Sequence, residues 1–184
     1  MRVLLLADRE PFPSVAALLD AGPFDAVIGL GDLQPSWIED LERFKLPKFG
    51  VYGNHDESPY MKWFGMTDLH LKRKKLHGLT ISGFEGCVRY RRDAVHQYTQ
   101  EEATKLVRRL KPADILICHC PPAGVNDDPT DRAHTGFEGL REWVDRVRPR
   151  YVLHGHTYPL PGRLVHRVGD TRVIHVSGAR VVDL

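Results

Sequence analysis

The sequence predicts an α/β protein built around a largely parallel β-sheet, with antiparallel strands near the C-terminus. The first half alternates short apolar runs with helical patterns, which is typical of parallel strands joined by helical crossovers. Five of the apolar runs end in a short polar segment rich in Asp, Asn or His. Because α/β sheets build their sites beyond the carboxyl ends of the strands, this pattern indicates one active site at one sheet edge.

Length and composition fit a single soluble domain that spans residues 1–184 and buries a full core. The formal net charge of +2 is too small to indicate nucleic acid or an anionic membrane as a partner. Three cysteines, an odd number, argue against a disulfide framework and predict a reducing, cytoplasmic location. No apolar stretch approaches the length of a membrane span, and the apolar start runs directly into Asp8, which favours a first strand over a secretory signal.

The first 56 residues predict the order β-α-β-α-β. Each strand is a continuous apolar run, as expected for a strand covered on both faces. The segment Ser36-Trp37-Ile38-Glu39 has the form of a capping box and opens the second helix. The predicted strands are residues 2–7, 24–30 and 48–52, and the predicted helices are residues 14–21 and 36–44.

The rest of the chain predicts seven further strands and two further helices. Capping boxes at Thr99 and Thr135 open helices that run to about Leu110 and Val147. A loop rich in Arg and Gly spans residues 84–98, and Gly169-Asp170 reads as a hairpin turn in an antiparallel tail. The predicted strands are residues 69–74, 79–83, 114–118, 151–153, 163–168, 172–176 and 180–183.

The strand-end segments hold the residue types that bind divalent metals and transfer protons. Mixed nitrogen and oxygen ligands suit Mn, Fe, Co and Zn rather than calcium. Two such ions roughly 3.5–4 Å apart would clamp a phosphate and lower the pKa of a bridging water. The segments are Asp8-Arg9-Glu10, Gly31-Asp32, Gly53-Asn54-His55-Asp56, His119, and His154-Gly155-His156-Thr157-Tyr158.

The order of these segments resembles the calcineurin-like metallophosphoesterase family, and the resemblance runs from residue 8 to residue 158 and into the terminal strands. It implies a four-layer α/β/β/α sandwich in which two mixed β-sheets pack face to face. It also implies a dinuclear, metal-dependent phosphoesterase. One metal ion would be held by Asp32, Asn54, His119 and His156.

The second metal ion would take Asp8 and the shared Asp32, but the chain lacks the two histidines that the family pattern adds. Glu10 stands in place of the first, and its long stem makes it a credible ligand. Tyr158 stands in place of the second; a role beside the ligands or in stacking on substrate is favoured over metal binding. The expected cofactors are two divalent ions (Mn, Fe, Zn or Mg), with Mn favoured by the oxygen-rich site.

His55 resembles the family's general acid, with Asp56 able to orient it. The resemblance implies in-line attack on phosphorus by a metal-bound hydroxide, followed by protonation of the leaving alkoxide by His55. The competing interpretation is that His55 is a turn residue with no role in catalysis. His154 is either an extra ligand or, as favoured, a strand-end histidine satisfied by hydrogen bonds.

Other polar residues keep two interpretations. Arg89 and Arg91 lie either in a solvated charged loop or in an anion-binding loop that steers phosphate. Cys118 and Cys120 flank His119 and are expected to pack in the core rather than bind metal.

Small phosphomonoesters or phosphodiesters, nucleotides included, are the expected substrates, because 184 residues leave no room for a cap domain. A nuclease is disfavoured by the lack of a strongly basic face, and no membrane partner is expected. The alternative is a non-catalytic interaction module with a degenerate first metal site, since the family resemblance includes members, such as a retromer subunit, that lost residues needed for turnover. Glu10 and Tyr158 favour that alternative. The presence of His55, Asn54, His119 and His156 favours catalysis.

Overall fold

In the computed structural model, which describes all 184 residues, two β-sheets pack face to face with helices on both outer sides. The first sheet has the order β13-β1-β2-β3-β4, and only β13 runs antiparallel to its neighbour. Its strands are β1 (Arg2–Ala7), β2 (Ala26–Gly29), β3 (Lys48–Gly50), β4 (Thr67–Asp68) and β13 (Gly178–Asp183).

The second sheet has four parallel inner strands and an antiparallel strand at each edge, in the order β11-β12-β10-β9-β6-β5. Its strands are β5 (Arg73–Leu76), β6 (Leu79–Phe84), β9 (Ile115–Cys118), β10 (Tyr151–His154), β11 (Val165–Val168) and β12 (Thr171–His175). A separate parallel pair is formed by β7 (Cys87–Val88) and β8 (Gln97–Tyr98). The two mixed sheets confirm the fold class expected from the sequence.

The helices lie in two outer layers. Against the first sheet lie α1 (Val15–Asp20), α2 (Pro35–Ile38), a 3₁₀ turn (Glu39–Arg43) and α3 (Tyr60–Trp63). Against the second lie α4 (Gln100–Val107) and α5 (Glu138–Val147). No helix combines the length and the apolar character needed to cross a membrane.

Three buried apolar clusters separate the four layers. Leu5 and Ile117 belong to the cluster between the sheets. Leu4 points the other way and packs with the helices on the first sheet, while Trp143 of α5 is buried against the second. Successive strand residues face opposite sides, so a strand with a core on both faces must be apolar throughout.

One of the three predicted capping boxes forms. The Thr99 hydroxyl accepts from Glu102 N at 3.1 Å, and the Glu102 carboxylate accepts from Thr99 N at 2.9 Å. The box at Thr135 is absent, because Gln100 of α4 accepts from Glu138 N at 3.0 Å and supplies the cap from a neighbouring helix. The box predicted at residue 36 is also absent, since α2 starts one residue earlier with Pro35 in its first turn.

The tail differs from the prediction in its pairing. Strands β11 and β12 form the expected antiparallel hairpin at Gly169-Asp170, but β12 runs parallel to β10. Strand β13 then crosses to the other sheet and pairs antiparallel with β1. The strand predicted at residues 69–74 begins only at Arg73, and a two-residue turn at His77-Gly78, both with positive φ, joins it to β6.

Candidate metal and active site

Candidate residues from both sheets meet at one end of the sandwich. In the first sheet, Asp8 follows β1, Asp32 follows β2 and Asn54 follows β3. In the second sheet, His119 follows β9 and His156 follows β10. The carboxyl ends of parallel strands from two sheets therefore supply one site, as the sequence pattern indicated.

Three of these residues adopt a left-handed backbone. The φ angles are 61° at Asp8, 54° at Asp32 and 67° at His156. Such conformations cost on the order of 1–3 kcal/mol for residues with a side chain, and they cluster where function requires them. Each one turns the chain sharply at the strand end, so the side chain leaves the line of the strand.

Two glycines let the loops after β2 and β3 touch. A Cβ at Gly31, where φ is +94°, would overlap the backbone N of Gly53. A Cβ at Gly53 would overlap Asp32 Oδ1. No side chain fits at either position, so the glycines before Asp32 and Asn54 permit the close approach of these two residues.

Asp32, His119 and His156 form a group that could hold a metal ion, with one ligand atom from each lying within 4.8 Å of the others. His119 is fully buried, and its ring lies 4.7 Å from that of His156 between centroids. Burial alone would raise the pKa of Asp32, but the charge and hydrogen bond of His119 hold it well below its ordinary value. The Asp32 carboxylate is therefore ionised, the form in which it could bind a metal ion.

The chain fixes which nitrogen of His119 faces the site. His119 Nδ1 donates to the carbonyl of Leu30 at 2.8 Å. Its Nε2 then lies 3.0 Å from Asn54 Oδ1 and 3.4 Å from Asp32 Oδ2, both of which are acceptors. Burial disfavours a charged ring, yet Asp32 raises the pKa of His119 to about 9. Three electron-rich atoms converge here, an arrangement that either a proton or a metal cation satisfies, so the donor set fits a metal ion.

Asn54 and His156 are also oriented by contacts outside the site. Asn54 Nδ2 donates to the Tyr90 hydroxyl at 3.1 Å, which leaves Oδ1 pointing inward. His156 Nε2 donates to the carbonyl of Ala133 at 2.7 Å, which leaves Nδ1 free to bind a metal ion. Burial lowers the pKa of His156 to about 3, so its ring is neutral, the form that binds metals.

Asp8 lies beside this group and is short of positive partners. The backbone N of His156 donates to both of its oxygens, at 3.2 and 2.9 Å. Burial raises the pKa of Asp8 to about 6, although His119 acts in the opposite direction. Gly155 is required here, because a Cβ would lie 2.6 Å from Asp8 Oδ2.

The structure does not bring Glu10 or Tyr158 to Asp8. The side chain of Glu10 is exposed and makes no hydrogen bond, and Tyr158 is 75% exposed with its ring 5.1 Å from that of His134. The sequence placed residues i and i+2 on one side of an extended chain. The left-handed turns at Asp8 and His156 break that alternation, so these pairs diverge.

His55 and Asp56 are adjacent but have different surroundings. The His55 imidazole is exposed and borders a cleft of about 390 Å³ that Asp8 and Asp32 also line. No hydrogen bond joins the two side chains, so Asp56 does not hold the His55 imidazole directly. The buried Asp56 carboxylate instead accepts from Asp32 N at 2.9 Å, Leu33 N at 3.0 Å, Gly53 N at 2.7 Å and the Tyr60 hydroxyl at 3.1 Å.

His154 has no ring nitrogen left for a metal. Its Nδ1 donates to the carbonyl of Gly155 at 3.0 Å, and its Nε2 accepts from Asn126 Nδ2 at 3.0 Å. Cys118 and Cys120 are buried in the apolar cluster beneath α4 and α5, on the far side of the strand from the site.

The two arginines predicted to bind phosphate, Arg89 and Arg91, have different surroundings. Arg89 binds the carboxylate of Glu102 at 2.8 Å and the carbonyl of Gln97 at 3.0 Å, so it is neutralised and is not available for phosphate. Arg91 is exposed and borders a cleft together with Asn54 and His55. Of the two proposed phosphate-binding residues, only Arg91 lies at the site.

Sequence reasoning missed the groups that hold the ligands in place. Two of them, the carbonyls of Leu30 and Ala133, are backbone groups with no signal in the sequence. Tyr90 lies within the arginine-rich segment at residues 84–98, where the charged residues and not Tyr90 suggested a function. A further missed group is the buried Glu85 at the end of β6, which accepts from the Tyr98 hydroxyl at 2.6 Å and lies 3.2 Å from His96 Nδ1.

Comparisons with known proteins identify the family of the chain and its fold. The sequence model of the calcineurin-like phosphoesterase family matches residues 1–159. The crystal structure of TT1561 of Thermus thermophilus is similar, with a TM-score of 0.67 at 16% identity over 96% of this chain and 89% of the other.

More distant folds also match, and at these identities they show the fold alone. A hypothetical protein from Thermus thermophilus has a TM-score of 0.53 at 17% identity, over 97% of this chain and 75% of the other. GAP50, the anchor in the inner membrane complex of Plasmodium, has a TM-score of 0.53 at 11% identity, over 96% and 71%. No curated protein sequence matches.

Proposed function

Because this chain belongs to the calcineurin-like phosphoesterase family, we propose that it hydrolyses small phosphomonoesters or phosphodiesters in a metal-dependent reaction. The observation that carries the proposal is the convergence of Asp32, Asn54 and His119 Nε2 on one point, with His156 beside them. Such a group of acceptors is satisfied either by a proton on His119 or by a metal cation, and we propose the metal cation. Its position at the carboxyl ends of the strands leaves it open to a substrate beside His55.

Asp32, Asn54, His119 and His156 would hold the first divalent ion. For a second ion we propose Asp8 and the shared Asp32, with Glu10 turning inward as a third ligand; the raised pKa of Asp8 supports a cation there. Mn is favoured over Fe, Zn and Mg for this oxygen-rich pair. Divalent ions bound here would supply charge neutralisation for the phosphoryl group and a nucleophile available near neutral pH.

His55 is the proposed general acid. Its backbone N donates to Asp32 Oδ1 at 2.8 Å, which fixes the residue next to a metal ligand. Its imidazole has no partner in the chain and can deliver a proton to the leaving oxygen. Asp56 acts as a positioning residue, because its carboxylate ties the loop that carries His55 to the loop after β2.

Hydrolysis of bis-p-nitrophenyl phosphate and p-nitrophenyl phosphate with added Mn tests this function. We expect His55→Ala to lower kcat by about 10²- to 10⁴-fold, the usual contribution of a positioned acid. His77→Ala is the matched control, since His77 is exposed in the hairpin at the opposite end of the sandwich. Wild-type turnover no higher than that of His55→Ala, with each of several metals, would contradict an enzymatic role.

A second candidate function is a non-catalytic interaction module. It is favoured by one observation, namely that Glu10 and Tyr158 are exposed and leave Asp8 without its expected partners. Metal analysis separates the two candidates. We expect two ions per chain and the selective loss of one in Glu10→Ala, whereas one ion in the wild-type chain would favour the degenerate site.

The proposed partner is a small phosphoester, with nucleotides among the candidates. Cys87, Cys118 and Cys120 are buried free thiols, which a reducing compartment preserves, and the cytoplasm is our proposed location.

A further inference from the structure

A cleft of about 620 Å³ opens beside His156, between the loop at residues 124–134 and the segment at residues 157–163. Its volume lies within the range of small-molecule sites, roughly 300–1,000 Å³. The ring of His134 lies 5.2 Å from that of His156, and the ring of Tyr158 lies 5.1 Å from that of His134. Only the His134 ring therefore lies between the cleft and the candidate metal ligand His156.

One wall of the cleft presents large apolar side chains to solvent. Tyr158 is 75% exposed and Leu160 is 72% exposed, and Pro159 lies between them. Adjacent exposed apolar groups at the rim of a cleft mark a contact surface for a ligand. An aromatic ring in this position offers a face on which a planar group can stack.

The floor of the cleft contains two buried polar atoms that lack a partner, Asn126 Oδ1 and Thr157 Oγ1. The chemistry of Asn126 follows from its neighbour. His154 Nδ1 donates to a carbonyl, so His154 Nε2 must accept, and the Asn126 amide must present its NH₂ group there. The unpartnered atom of Asn126 is consequently an acceptor. This oxygen has almost no solvent-accessible area, so it makes the lining of the cleft polar without being a direct contact for a ligand.

The opposite side of the cleft is acidic. Asp127 Oδ2 accepts from Gly136 N and Asp128 Oδ1 accepts from Thr130, while Asp127 Oδ1 and Asp128 Oδ2 accept no hydrogen bond within the chain. Arg163 is the only arginine or lysine that lines the cleft. This balance disfavours a second phosphate and favours a group with several hydroxyls.

We infer that this cleft binds the nucleoside part of the substrate. The sugar hydroxyls donate to Asp127 and Asp128, and the base stacks on Tyr158. The phosphate then lies toward His156, and this end of the inference rests on the proposed phosphoesterase function. The substrate class is accordingly a nucleotide ester rather than a simple sugar or alkyl phosphate.

Saturation-transfer NMR measures the binding of adenosine to the metal-free protein. It tests the cleft without requiring ester hydrolysis. We expect binding by the wild-type chain, about tenfold weaker binding by Tyr158→Ala and retained binding by Tyr158→Phe. Trp63→Ala is the matched control, since Trp63 is an exposed aromatic residue on α3, away from the cleft. The inference is overturned if the wild-type chain does not bind adenosine, or if Tyr158→Ala binds it as well as Trp63→Ala.

Turnover provides an arm that separates this inference from the proposed function. We expect a higher kcat/KM for the p-nitrophenyl ester of uridine 5′-phosphate, whose ribose carries two free hydroxyls, than for bis-p-nitrophenyl phosphate, and a smaller ratio of the two in Asp128→Asn. Adenosine binding that depends on Tyr158, without turnover of any ester, would overturn the phosphoesterase and leave the nucleoside site standing. Turnover of esters without adenosine binding and without a preference for the nucleoside ester would overturn the nucleoside site and leave the phosphoesterase function standing.

Discussion

The orientation of three proposed ligands, Asn54, His119 and His156, is set by groups that do not touch the metal position. Carbonyls hold His119 and His156 in one tautomer, and the Tyr90 hydroxyl holds the Asn54 amide in one orientation. Such supporting contacts fix the geometry of metal ligands and commonly change affinity 10- to 100-fold when removed. Of the three supports, only Tyr90 is a side chain and can be tested by substitution.

We expect Tyr90→Phe to weaken Mn binding by about tenfold, because the Asn54 amide then loses the acceptor for its NH₂ group and can turn away. Isothermal titration calorimetry measures this change. Tyr151→Phe is the control, since the Tyr151 hydroxyl makes no hydrogen bond and lies at the start of β10, remote from the site. Equal Mn affinity in both variants would show that Asn54 does not depend on Tyr90.

At the scale of the elements, the sequence predicted the strands that carry the site because each has a core on both faces. Strands β1, β2, β3, β9 and β10 all appear where continuous apolar runs predicted them. The two- to four-residue elements α3, β4, β7 and β8 were missed, since such short segments show no periodicity. The left-handed turns at Asp8 and His156 were also missed, because only a small minority of Asp and His residues adopt a positive φ, although both types are enriched there.

The contact between the loops after β2 and β3 gives a prediction at this scale. Gly53→Ala should destabilise the protein by about 2 kcal/mol or more, because the new methyl group would overlap Asp32 Oδ1 and the backbone N of Asp32. It should also weaken Mn binding, since Asp32 must move. Urea unfolding and calorimetry measure the two effects.

Gly22→Ala is the matched control for that substitution. Gly22 follows α1, has an ordinary φ and would meet no atom within 4 Å of an added Cβ. Its unfolding free energy should stay constant or rise by a few tenths of a kcal/mol. If Gly53→Ala behaved in the same way, the close approach of the two loops would not be a requirement of the fold.

At the scale of the whole molecule, a partly buried ion pair between Glu85 and His96 ties the far end of the segment between β6 and α4 back to the end of β6. Glu85 lies 3.2 Å from His96, whose ring stacks on that of Tyr52 at 5.1 Å. The hydrogen bond with Glu85 raises the pKa of His96. Burial opposes ionisation of Glu85, but His96, His70 and Tyr98 lower its pKa overall.

The two shifts predict a window of stability. The lowered pKa of Glu85 contributes stability above its ordinary value of 4.5, and this is lost as the pH falls through the folded-state pKa. The raised pKa of His96 contributes stability below its ordinary value of 6.5, lost as the pH rises through the folded-state pKa. The pair is therefore fully stabilising between about pH 4.5 and 6.5.

Glu85→Gln should lower the unfolding free energy by about 1–3 kcal/mol within this window and by less at either side, because a charge-assisted hydrogen bond is lost. Thermal unfolding from about pH 4 to pH 8 measures the profile. Glu142→Gln, an exposed glutamate of α5, should leave the profile unchanged. Parallel profiles for the wild-type chain and Glu85→Gln would mean that the pair contributes nothing that depends on pH.

The two sheets contribute equally to the proposed first metal site: Asp32 and Asn54 come from one, His119 and His156 from the other. An ion bound there acts as a cross-link between two layers that pack mainly through apolar side chains. The affinity of the protein for this ion therefore depends on the spacing between the two sheets. A variant whose core packs less tightly should release the ion before the chain unfolds. Metal retention can then serve as a sensitive screen for core variants, even those whose altered residue lies far from every ligand.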